Sequence, residues 1–272
     1  MKIGFIGAGN MGGAILKGIL AKQFLPANEV LVYDINTDLC NRWKNEYHVG
    51  IANSRIDLAE KCEWIVLCVK PVFLADVIAD IKPCLSNDKK VISIAAGWSI
   101  QMLQDSMGEN CAQLLRVMPN TPALVGEGLL ALCEETTLSD EDFCWAQKLF
   151  ATLGTVQIIP ERLIGAIIAV SGSSPAYVFM FIEAMADAAV KLGMPRQMAI
   201  ECAAQAVLGS AKMVLETKLH PAVLKDQVCS PGGTTIEAVQ VLEEEGMRGA
   251  VIKAMVACAE KNMLMTNGSK KQ

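Results

Sequence analysis

A chain of 272 residues, 52% of them apolar, is long enough for two domains and too rich in core material to be disordered. A net charge of −5, with no basic run or aromatic–basic stretch, argues against a nucleic-acid partner. The N-terminus enters an apolar run with no charged leader, and no apolar stretch reaches transmembrane length without Gly, Pro or charge. The expectation is therefore a soluble, cytoplasmic protein that binds no membrane.

The first element is "KIGFI", short, apolar and β-branched, which predicts a buried strand. Gly7, Gly9 and Gly12 follow in G-x-G-x-x-G spacing and "GGAILKGIL" continues as a helix. In a dinucleotide-binding βαβ unit Gly7 makes the tight turn, Gly9 lets the backbone approach a pyrophosphate, and Gly12 packs helix on strand. The helix N-terminus supplies free N–H groups and a favourable dipole for the anion.

"VLVYD" predicts the second strand, ending at Asp34 roughly twenty residues beyond the glycine turn. A carboxylate there accepts hydrogen bonds from the adenosine ribose and repels a 2′-phosphate, which favours NAD. Asn36, Thr37 and Arg42 lie close enough to receive a phosphate, and Asp34 or Asn36 suits a helix N-cap equally well. On these residues the choice between NAD and NADP stays open.

Further strands are "WIVLCV", "KVISIAA", "QLLRVMP", "GLLALC" and "TVQIIP", with helical stretches between most of them. This alternation predicts a mostly parallel sheet with helices on both faces, an α/β Rossmann domain over residues 1–160. Ligands in such sheets bind beyond the carboxyl ends of the strands. "CVKP" (68–71) and "SIAAGWS" (93–99) stand there, with Lys70 either reaching the phosphate–ribose region or solvated. "MPNTPALVGEG" (118–128) holds Asn120 and Thr121 between Pro119 and Pro122, which stiffen the loop and make the two polar residues site candidates.

After Pro160 the strand signals end, and residues 161–272 read as a second, all-helical domain. One helix is predicted to begin at a Ser174 cap with Pro175 at its first position and to stop at Gly193; another follows Pro195. Their Ala- and Met-rich faces are apolar on several sides, more than a domain of this size can bury alone, which implies a helical dimer interface. "CSPGGTTIEAVQVLEEEG" (229–246) predicts a capping box between Thr234 and Glu237. Gly232 and Gly233 before it leave room for a carboxylate-sized anion. Ten cysteines without CxxC spacing and only two histidines give no metal site.

With these stretches together the chain resembles the 1-pyrroline-5-carboxylate reductase family, the last enzyme of proline biosynthesis. The resemblance is carried end to end by "GFIGAGNMGGAI", "VKP", "SIAAG", "MPNTPALV", "VSGSSPAYVFMFIEAMADAAVKLGMPR" and "HPAVLKDQVCSPGGTTIEAV". It implies a Rossmann domain followed by an all-helical dimerisation domain, with dimers assembling into a decamer. It implies an oxidoreductase that reduces the cyclic imine to L-proline with NADPH, NADH being possible. Cofactor contacts implied are Ile6, Gly7, Ala8, Gly9, Asn10, Met11 and Gly12, then Asp34, Asn53, Cys68, Val69, Lys70, Pro71, Ala95, Ala96 and Gly97. Substrate contacts implied are Asn120, Thr121, Gly232, Gly233, Thr234 and Thr235, with the Thr235 hydroxyl on the imine nitrogen as the catalytic contact. The family more often has Ser or an Asn/Arg-type residue where this chain has Asp34. A hydroxyacid dehydrogenase of the 6-phosphogluconate type shares the layout but wants a lysine inside the first long helix of the second domain, where Lys191 stands only at the far end.

Overall fold

A computed structural model describes residues 2–108 and 112–268; Cys111, among the cysteines discussed above, lies outside them. The chain divides into two compact units. The first comprises residues 1–173 and 258–272, the second residues 174–257.

The first unit is built on one eight-stranded sheet. Its strands are β1 (Ile3–Ile6), β2 (Val30–Tyr33), β3 (Gly50–Ile51), β4 (Trp64–Leu67), β5 (Lys90–Ser93), β6 (Gln113–Met118), β7 (Gly128–Cys133) and β8 (Gly154–Ile159). Their order is β3-β2-β1-β4-β5-β6-β7-β8. All neighbours run parallel except β6 and β7. The order reverses at β1, between β2 and β4, which is the switch point of a doubly wound sheet. Register pairs Ile6 with both Tyr33 and Leu67, and Leu67 with Ser93. Gly7, Asp34, Cys68 and Ile94 therefore leave the sheet at one level.

The near-continuous apolar strands reflect burial on both faces. Ile3, Phe5, Val30, Val32, Val66 and Val117 pack on one side; Ile6, Ile65, Leu67, Val91 and Leu114 pack on the other. Each such fully buried side chain is worth about 1.5–3 kcal/mol against exposure. Seven of the eight strands follow the sequence reading. The eighth, β3, has only two residues at the sheet edge, too short to show a period.

The helical reading needs two corrections. The helix predicted to start at Ser174 starts earlier, and one helical run spans Glu161–Lys191. Pro175 is accommodated because the turn before it widens to π geometry over Ile168–Gly172, with Ser173 N–H donating to Ile168 O at 2.8 Å. A helix Pro221–Val228, capped by the His220 side chain on Ala222 N–H, carries too short a pattern to be recognised. The runs 161–191 and 196–217 are long and apolar enough to cross a membrane by length and composition, and both carry the interruptions expected from the sequence, Gly172 and Pro175 in the first, Gly209 and Lys212 in the second.

The second unit consists of Ser174–Lys191, Arg196–Thr217, Pro221–Val228, Thr234–Glu244 and the beginning of Met247–Gly268. Gly193 at φ +98° ends the first helix as a Schellman cap, with Met194 N–H donating to Ala189 O. The next helix folds back along the first. In the single chain the unit buries only small residues, Ala186, Ala199 and Ala203, and leaves Phe179 63% and Met180 69% exposed.

Candidate active site

The glycine turn separates three roles. Gly7 has φ +95°, and a Cβ there would stand 2.8 Å from Cys68 O. A Cβ on Gly12 would collide with Gly7 O. Both are held by packing. At Gly9 a Cβ would meet nothing within 4 Å, so the fold does not need that glycine. Gly9 instead borders open space on both sides of the turn. The helix Asn10–Ala21 begins there with no side-chain cap at Gly9, and its first-turn N–H groups have no intrahelical partner.

Asp34 clamps this turn. Its Oδ2 accepts from Ala8 N–H at 2.8 Å and its Oδ1 from Asn36 N–H at 2.9 Å. Trp43 Nε1 donates to Ala8 O from the other side. Asn36, not Asp34, is the N-cap of Thr37–Tyr47, accepting from Asp38 and Leu39 N–H. Arg42 pairs with Glu46 along that helix.

Two clefts adjoin the turn. One, of about 450 Å³, is lined by Ile6, Gly7, Gly9, Tyr33, Asp34, Ile35, Arg55, Phe73 and Cys68 to Lys70. The other, of about 420 Å³, is lined by Gly9, Asn10, Met11, Cys68 to Pro71, Ile94 to Ala96 and Pro119. They share Gly9, Cys68, Val69 and Lys70 and so form one groove across the switch point. Burial pushes the Cys68 thiol up, so this group stays protonated and serves as groove wall. Among the described residues no group of His, Cys, Asp and Glu is placed to hold a metal.

Not every expected residue reaches the groove. Asn53 is exposed, with its backbone N–H on Asp57, and lines neither cleft. Gly97 is buried at φ +76° beyond Ala96, facing Met265. Arg55 is the charged residue that sequence reasoning missed. It opens the helix that follows the two-residue β3, and without that strand its junction carries no signal.

Asn120 is buried at 8% exposure and its amide is spent on the scaffold, donating to Ser171 O and accepting from Leu129 N–H. Thr121 is exposed and begins a 3-10 turn, Thr121–Val125.

In the second unit Gly232 has φ +66° and Gly233 is the N-cap of Thr234–Glu244, with no side-chain cap bond. The expected capping box is absent among the described residues: the helix begins one residue earlier, and the Thr234 hydroxyl does not cap it. Gly233 N–H already donates to Ser230 O at 3.0 Å, which removes it from the expected anion contacts. The first-turn N–H groups that remain are those of Thr234, Thr235 and Ile236. Thr235 is half-buried, Thr234 exposed.

Comparison with known proteins agrees with this layout. Residues 161–265 match the family described as pyrroline-5-carboxylate reductase dimerisation. Residues 2–97 match NADP oxidoreductase coenzyme F420-dependent. The pyrroline-5-carboxylate reductase of Escherichia coli (strain K12) is 48% identical over 96% of this chain and 97% of its own. The crystal structure of Plasmodium falciparum pyrroline carboxylate reductase with NADP bound superposes with a TM-score of 0.89, at 33% identity and 98% coverage of both chains. The pyrroline-5-carboxylate reductase of Coxiella burnetii does so with the same TM-score and identity, covering 97% of this chain and 98% of that one.

Proposed function

We propose a mechanism from one premise: the chain belongs to the pyrroline-5-carboxylate reductase family. It is an NAD(P)H-dependent oxidoreductase that reduces 1-pyrroline-5-carboxylate to L-proline, with NADP as its nucleotide. The observation that carries the reading is Gly9, which lines both halves of the groove at the uncapped start of Asn10–Ala21.

The groove residues divide the work of holding the dinucleotide. Asp34 holds Ala8 and so fixes the turn. Asn10 and Met11 offer first-turn N–H groups to the pyrophosphate. Cys68 to Lys70 line the middle of the groove, and Pro71, Ala95 and Ala96 form the wall along which the nicotinamide half lies. When bound, the reduced nicotinamide supplies hydride to the imine carbon. The substrate carboxylate rests on the N–H groups of Thr234, Thr235 and Ile236, and the Thr235 hydroxyl hydrogen-bonds the ring nitrogen. A protonated imine that gains hydride becomes a neutral amine without further proton transfer, so orientation suffices. Both histidines are used structurally: His48 closes Thr37–Tyr47 in a left-handed turn and His220 caps Pro221–Val228.

The exposed apolar faces of 174–217 are a subunit interface in a homodimer, and dimers assemble into a decamer in the cytoplasm, away from membranes. Glu183, Asp187 and Arg196 on those helices suit a protein interface better than hydrocarbon. Following nucleotide oxidation with pyrroline-carboxylate, NADPH against NADH, tests the activity. No turnover with either would sink it.

A further inference from the structure

The cleft that holds Asp34 also holds a cation outside every motif. Arg55 is the first residue of Arg55–Lys61, capped by Ser54, and lines the cleft with Asp34, Ile35 and Phe73. Its side chain is only 23% exposed. Nη1 donates to Asp80 Oδ2 at 2.6 Å, and Asp80 itself is 50% exposed. The other guanidinium donors have no partner among the described residues. An anion entering the cleft thus meets a pre-positioned fork, held from one side and free on the other.

Asp34 does not cancel this attraction. Each of its carboxylate oxygens already accepts a backbone N–H, so part of its charge is compensated before a ligand arrives. Lys70 is the second cation of the cleft, but it also lines the neighbouring cleft with Pro119 and Ala95. That places it midway along the groove, where the pyrophosphate runs. Arg55 lines only the cleft shared with Asp34, at the adenosine end.

We propose that Arg55 is the specificity-determining residue that receives the adenosine 2′-phosphate, an inference that rests on the dinucleotide reading above. A dianion there gains charge-assisted hydrogen bonds that a plain ribose hydroxyl cannot.

Fluorescence titration of the purified protein with NADPH and with NADH, without substrate, tests this. Arg55→Ala is expected to weaken NADPH about tenfold or more while NADH stays within about twofold, and Arg55→Lys to recover part of the loss. Asp80→Asn breaks the same ion pair from the other side and is expected to leave NADPH affinity at or above wild type. If Arg55→Ala weakens both nucleotides equally or neither, or if Asp80→Asn reproduces its loss, the inference is overturned. Wild-type protein that binds neither nucleotide overturns the cofactor reading, and this inference with it.

Discussion

Asn120 Nδ2 donates to the backbone carbonyl of Ser171 at 3.2 Å, the carbonyl four residues before Pro175. In an uninterrupted helix that oxygen would accept from the N–H of residue 175, which proline lacks. The asparagine replaces the missing donor and, through Oδ1, also takes Leu129 N–H at 2.9 Å. One buried amide thereby ties the end of β6, the start of β7 and the π turn together. Asn120→Ala strands a buried acceptor and a buried donor, at about 1–3 kcal/mol each. Denaturant unfolding is expected to show a loss of that order. Unchanged stability with lost substrate affinity would return Asn120 to the substrate.

The glycines of the turn make separate predictions. Gly9→Val is expected to fold with wild-type stability and to lose nucleotide binding, because its side chain enters only the groove. Gly12→Val is expected to lose the folded state, because its Cβ meets Gly7 O. Circular dichroism and nucleotide titration of the two variants separate these outcomes. Equal destabilisation of both would show that the space at Gly9 is structural.

The sequence pattern makes the sheet legible because buried parallel strands read as apolar runs of fixed length. It makes Gly7, Gly9 and Gly12 legible because their spacing repeats one backbone geometry. Arg55 and the Asn120–Ser171 bond were not legible. Arg55 follows an edge strand of two residues. Asn120 and Ser171 are 51 positions apart and meet only once the sheet has formed. The capping box failed because a Thr-x-x-Glu pattern does not distinguish a helix capped by Thr234 from one that Gly233 has already begun.

Asp34 has a double role and so a double signature. Asp34→Ser removes a negative charge from the adenosine end, and the ratio of NADPH to NADH affinity is expected to rise. The same change takes the acceptor from Ala8 N–H, so thermal stability is expected to fall with it. A ratio that does not move, measured by titration, would mean that the carboxylate serves the turn alone.

Thiol chemistry should follow burial. Desolvation pushes Cys62 up to about 11 and Cys133 up to about 12, and raises Cys68 as well. Alkylation needs the thiolate, so at pH 8 exposed Cys144 is expected to be labelled well before these three. Mass spectrometry of the iodoacetamide-treated native protein reads the order. Early labelling of Cys68 would mean that the groove wall opens.

The last prediction concerns Thr235. Its hydroxyl makes no hydrogen bond among the described residues, and its N–H belongs to the free first turn of Thr234–Glu244. If the hydroxyl bonds the ring nitrogen, Thr235→Ala lowers turnover and leaves nucleotide affinity near wild type. A hydrogen bond to a charged group is worth about 1.5–3 kcal/mol, roughly tenfold to a hundredfold in rate. Thr235→Val keeps the side-chain shape and is expected to lose as much, which separates the hydroxyl from packing. Loss well beyond a hundredfold in both variants would make the hydroxyl an obligatory proton donor. Thr234→Ala is the contrast. Its hydroxyl does not cap the helix, so the change is expected to cost less than the ~1 kcal/mol of a lost N-cap and to leave turnover near wild type. Turnover unaffected at both positions would remove this helix start from the substrate.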